Sequence, residues 1–136
     1  MYETPFTPIL RTLLVEVPDA LGAIFADWEG EAVDQFPDPR RAEDAATPLP
    51  PSGIETFDLR LFGAHWGIIL NYVNAALRTF HYGDLQVVML HHDRLDILIQ
   101  TVDARYYLLI ALRPGSPLGR ALLELERGVR ALRVEM

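Results

Sequence analysis

The chain has 136 residues, the length of one domain; half are hydrophobic and 23% charged, so a packed core is expected rather than disorder. It contains no cysteine, which excludes a disulfide framework, a thiolate metal site and a cysteine nucleophile. Its 12 basic residues are all Arg, set against 19 acids, and a net charge of -7 argues against a general binder of nucleic acid or of anionic membranes.

The acids are unevenly placed. Residues 1–59 hold 12 acids and 3 Arg, whereas residues 60–136 hold 7 acids and 9 Arg. The first ten residues carry Glu3 and two prolines with no positive start, so no secretory leader is expected. The most hydrophobic stretch, Leu59 to Phe80, carries Arg60, His65, Asn71, Asn74 and Arg78. Each Arg at the middle of a bilayer costs roughly 2.5–3.5 kcal/mol, so a buried helix is expected there instead of a membrane span. A cytoplasmic protein is the corresponding expectation.

Thr7 as N-cap, Pro8 at the first helical position, and Ile9, Leu10, Leu13, Leu14 and Val17 at helical spacing predict a first helix over about 8–16, stopped by Pro18. Leu21 to Ala26, small or apolar on both faces, predicts a strand covered on both sides. Asp27-Trp28-Glu29-Gly30 reads as a tight turn into a shorter, more acidic strand, Glu31 to Phe36, whose charge suits a sheet edge. Residues 37–57 hold five of the ten prolines, the cluster Arg40-Arg41-Ala42-Glu43-Asp44 and the run Pro48-Leu49-Pro50-Pro51-Ser52-Gly53. Such a composition predicts a loop insertion within a single domain spanning 1–136, either a mobile excursion or a functional loop.

A second helix is predicted from about Asp58 to Phe80, and it is apolar nearly all the way round. A helix resting one face on a sheet needs an apolar stripe only slightly wider than 100°, so the surplus must meet something else, and a second copy of the chain is the expected partner. Gly63 and Gly67, four apart, suggest either a close helix crossing or two glycines tolerated on an exposed face. Three strands follow: Leu85 to His91, Leu95 to Val102 and Tyr106 to Leu112. The last is apolar on both faces and so central, and the short turns between them require antiparallel neighbours. Ser116 and Pro117 are expected to open a last helix whose inner face is Leu118, Ala121, Leu122, Leu125, Val129 and Leu132. The order helix, two strands, helix, three strands, helix is α+β.

Catalytic signatures are weak. His91-His92-Asp93 looks like a metal or acid–base cluster, but His65 and His81 supply no ligand spacing, and a polar hairpin tip is the preferred reading. Asp27, Glu29 and Glu31 are read as solvated turn and edge carboxylates rather than an acid–base pair. No Gly-x-Ser-x-Gly elbow and no phosphate loop is present. Arg78, Arg120, Arg127, Arg130 and Arg133 could offer an arginine to a GTPase in trans, yet the last four mostly describe the solvated face of a helix. The chain is not expected to be an enzyme, and no cofactor or metal is expected.

The first helix ending at Val17-Pro18, Leu21-Gly22-Ala23-Ile24-Phe25-Ala26-Asp27 leading to Gly30, the long middle helix, the three-strand meander and Pro114-Gly115-Ser116-Pro117-Leu118-Gly119 together resemble the roadblock (dynein light-chain roadblock) family, in its bacterial, small-GTPase-associated type. The resemblance spans roughly residues 6–135. It implies a five-stranded antiparallel sheet ordered 2-1-5-4-3, with the first and last helices on one face and the middle helix on the other. It also implies a homodimer in which third strands pair edge to edge and middle helices pack together, assigning the interface to Gly63, Trp66, Gly67, Leu70, Val73, Asn74, Leu77, Val87 and Met89. The implied partner is a small Ras-like GTPase, met through Tyr72 and Phe80 or through the first hairpin at Trp28. A structural dimerisation module of a larger assembly and a small-ligand sensor under the Pro-rich loop are the alternatives.

Overall fold

The computed structural model describes residues 3–41, 44 and 59–136, with the backbone alone for 59–62. Its elements are α1 (Thr7–Glu16), β1 (Ala20–Asp27), β2 (Ala32–Phe36), α2 (Leu59–Thr79), β3 (Val87–His91), β4 (Asp96–Thr101), β5 (Tyr106–Leu112) and α3 (Leu118–Glu135). The strands form one antiparallel sheet in the order β2-β1-β5-β4-β3. This is the α+β architecture that the sequence implied. β1 and β5 are central because both of their faces are covered, as their unbroken apolar runs require.

Alternation along the strands divides the core in two. Ala23, Phe25, Leu98, Leu108 and Ile110 meet Leu10, Leu13 and Val17 of the α1 segment and Ala121, Leu125, Val129 and Leu132 of α3. Ile24, Ala26, Ile97, Ile99, Tyr107 and Leu109 point to the other face, where α2 lies and buries Leu70. Burying each such side chain contributes roughly 1.5–3 kcal/mol, so the two layers dominate the stability of the fold.

Both expected hydroxyl caps are used otherwise. Phe6 occupies the N-cap of α1 and Pro117 that of α3, neither with a side-chain cap. Thr7 lies one position inside α1, where its hydroxyl accepts the Thr4 N–H at 2.9 Å and donates to the Asp34 carboxylate. Ser116 Oγ donates to the carbonyl of Arg113 and closes the turn whose Gly115 has φ +84°. In the first hairpin Asp27 Oδ1 accepts the N–H groups of Glu29 and Glu31 at 3.0 and 2.9 Å, and Gly30 supplies φ +95°.

Residues 38–41 and Asp44 are not the loose excursion that their composition suggested: Asp38, Arg41 and Asp44 are buried against the body of the domain. The remainder of the Pro-rich stretch, 45–57 with its Pro48 to Gly53 run, lies outside the described residues, as do Ala42 and Glu43.

Candidate functional site

The expected interface residues of α2 fall on two different faces. Gly63 and Gly67 face the chain's own sheet. A Cβ on Gly67 would stand 2.8 Å from Tyr107 Oη, and one on Gly63 would stand 2.8 Å from Ile24 Cδ1. The Tyr107 hydroxyl donates to the carbonyl of Gly63, so the phenol sits in the notch that the two glycines leave. Burial, followed by the charge of Asp27, pushes the Tyr107 hydroxyl well above its ordinary pKa, which keeps it a neutral donor. The close approach that this glycine pair permits is therefore helix to sheet within one chain, a correction to the expected helix crossing. Leu70 is turned inward with them.

Of the other expected interface positions on α2, Trp66 is half-buried beside the sheet, its ring centroid 6.0 Å from that of His92. Asn74 Oδ1 accepts the N–H of Leu85 at 2.8 Å and ties the helix to the approach of β3. Leu77 is half-buried. Trp28, expected on the partner surface, instead packs its ring 4.7 Å from that of Tyr107 and is only partly accessible.

The outward face of α2 carries Ile68, Ile69, Tyr72 and Val73, and Phe80 follows just past its end, each more than 40% exposed, with Tyr72 at 77%. Large apolar side chains gathered in this way on one face mark an interaction surface more often than scattered single ones do. Ile69, absent from the expected interface, was legible only as part of the helix's surplus of apolar residues.

Among the described residues β3 ends the sheet and has a neighbour on one side only. Val87 and Met89 pair with Gln100 and Leu98, and Leu98 belongs to the α1–α3 core, so their side chains point away from α2. It is Val88 and Leu90 that share the α2 face. Thr101 N–H donates to Gln86 O, so antiparallel alternation aims the backbone groups of Val87, Met89 and His91 out of the sheet. At the end of the strand, His91 Nδ1 contacts the carboxylate of Asp96, its partner in the ladder. Among the described residues no group of three or more His, Cys, Asp or Glu could hold a metal ion.

β2 ends the sheet on the other side and is dressed differently. The Arg41 side chain is wholly buried. Its Nε donates to Asp44 Oδ2 at 2.8 Å, its Nη1 to Asp34 Oδ1 at 2.8 Å, and its Nη2 to the carbonyl of Gln35. The second oxygen of Asp34 accepts the hydroxyls of Thr4, at 2.6 Å, and Thr7. Asp44 Oδ2 also accepts the Asp38 N–H at 2.9 Å, while Asp38 is held by Arg40. Burial pushes the Asp34 carboxyl up, but the hydrogen bonds from Thr4, Thr7, Arg41 and the Gln35 N–H outweigh it and hold Asp34 below the ordinary carboxylate range. Asp38 is held low in the same way against its own burial, chiefly by Arg40. For Arg41 desolvation favours the neutral form, and the bonds to Asp34 and Asp44 reverse it. This cluster was legible in the sequence only as a run of charges; its partners come from residues 4, 7 and 34.

No helix among the described residues is long and apolar enough to cross a membrane. No family model matches the sequence, and no curated protein does. Solved structures do match. The gliding protein MglB from Thermus thermophilus superposes with a TM-score of 0.75 at 18% identity, covering 97% of this chain and 90% of that one. MglC from Myxococcus xanthus gives 0.63 at 20% identity over 98% and 100% of the two chains. A Roadblock/LC7 domain from Streptomyces avermitilis gives 0.72 at 14% identity, covering 93% of each. These identities are low enough that the likeness speaks for the fold alone, and the fold of this chain is the roadblock fold.

Proposed function

We propose that the chain is a non-enzymatic adaptor that forms a homodimer and binds a small Ras-like GTPase, modulating its nucleotide cycle or its location. The observations that carry this reading are the exposed apolar face of α2, Ile68, Ile69, Tyr72 and Val73, with Phe80 just past the helix, and a β3 edge that is open among the described residues. A second copy pairing along β3 would continue the sheet through the outward backbone groups of Val87, Met89 and His91 and bring two α2 helices side by side. Structural neighbours lend support, since one is described as MglB with a tetrameric arrangement and another as a gliding protein.

The dimer would present two copies of the aromatic positions Tyr72 and Phe80. Regulation then follows from selection: a surface that prefers one switch conformation of the GTPase raises that conformation's population by the difference in affinity.

Sedimentation of the purified chain tests the dimer. Calorimetric titration with the small Ras-like GTPases encoded by the same genome, loaded with GDP or a non-hydrolysable GTP analogue, tests the partner. The expected result is a dimer that binds one loaded form more tightly. Nucleotide-independent binding would favour a structural dimerisation module, and a monomer with no GTPase binding would overturn the proposal.

A further inference from the structure

A sheet has two edges, and a chain able to pair through both would assemble without end. We propose that the Arg41 cluster is an edge lock: it closes the β2 edge to a second copy of this chain, so that self-association starts from the other side alone and stops at a finite size. The β3 half of this statement rests on the proposed dimer; the lock at β2 does not.

The lock acts where an added strand would attach. Gln35 sits within β2, and its N–H is taken by Asp34 Oδ1 at 2.8 Å while its carbonyl accepts Arg41 Nη2. Those are the backbone groups through which an incoming strand would pair. Arg41 cannot swing away, because Asp44 and Asp34 hold its other nitrogens and Thr4 and Thr7 anchor Asp34 to the start of α1. Residues 38–41 and Asp44 are thereby fastened to β2. A second device lies on the same strand: Phe25 pairs with Asp34 and Ala26 with Ala32, which leaves Val33 as the extra residue of a bulge.

β3 carries neither device. Its register with β4 is unbroken from Val87 to His91, it has no Pro, Asp, Glu or Arg, and Met89 is half exposed. A buried ionic cluster contributes little net stability compared with apolar residues of the same volume, so its presence is better accounted for by what it prevents.

The double variant Arg41→Gln/Asp34→Asn removes one charge of each sign while keeping most of the shape. Sedimentation velocity over a hundredfold concentration range reads assembly, circular dichroism checks folding, and amide exchange reads Gln35. The expected result is a wild type with a fixed upper size. The folded variant should exceed that size, at least doubling the average mass at the highest concentration, with faster Gln35 exchange when dilute. Adding Val33→Lys to the variant should return the mass to that of the wild type.

If the double variant does not fold, Arg41→Lys serves, since one ammonium cannot reach Asp34, Asp44 and the Gln35 carbonyl together; a smaller rise in mass is then expected. A folded variant with wild-type mass overturns the lock. A monomeric wild type whose unlocked variant dimerises supports the lock and overturns the proposed adaptor dimer, so the two failures are distinguishable.

Discussion

The two edges of this sheet solve opposite problems. β2 is five residues long, bulged at Val33, and covered by a wholly buried arginine with its carboxylates. β3 is also five residues long, regular, without Asp, Glu or Arg, and open among the described residues. Equal length with opposite dressing shows that edge exposure follows from what the flanking segments bring to a strand rather than from the strand's own size.

The largest test of this contrast is Arg41→Ala. It leaves Asp34 and Asp44 buried without their cation and should cost about 3–5 kcal/mol, read as a lowered denaturation midpoint. Acid should probe the same cluster. Asp34 and Asp38 are held below their ordinary value of 3.8, so their contribution is complete above it and drains away as pH falls through the lower folded-state values. Acid denaturation of the wild type should therefore steepen below about pH 4, and Asp34→Asn should flatten that limb. An unchanged limb would remove Asp34 from the account.

On the open side, Ile69→Glu places a charge in the exposed face of α2. It should weaken self-association by about 2 kcal/mol, roughly thirtyfold in Kd, while the melting behaviour of the isolated chain stays near wild type. A variant that melts early without dissociating would mean that Ile69 supports the fold and not the interface.

Gly67→Ala sharpens the distinction between the two faces of α2. The added methyl meets Tyr107 Oη at 2.8 Å, so a loss of about 1–3 kcal/mol from crowding should outweigh the roughly 1 kcal/mol gained in helix propensity. Tyr107→Phe in the same chain should recover part of it. The smallest effect is expected from Val33→Lys alone, within about 0.5 kcal/mol in stability and without change in assembly, because that edge is already closed.

Much of the fold was legible because it rests on local periodicity. β5 matched its expected span to the residue, and β1, α2 and α3 fell within a few residues, since runs such as Tyr106 to Leu112 have one way to bury both faces. Helix caps were less legible. Thr7 and Ser116 are good caps in isolation, but each helix took the residue beside it as its N-cap, Phe6 for α1 and Pro117 for α3. The site was half legible: the surplus of apolar surface on α2 was visible, but which residues carried it was not. Gly63 and Gly67 have no side chain to mark a face, so only Tyr107, 44 residues beyond Gly63, reveals that they look inward.

By itself the sequence determined the element order, the α+β class, the central strands and the excess of hydrophobic surface on the long helix, because each follows from the spacing of apolar residues over a few turns. Only the tertiary structure decided which face of α2 is spent on the sheet, that Val87 and Met89 turn away from it, and that Arg41 closes the β2 edge. Those outcomes depend on partners distant in the chain, Thr4 and Thr7 with Asp34 and Arg41, or Tyr107 with Gly63. No local pattern records a hydrogen bond between residues that meet only once the chain has folded.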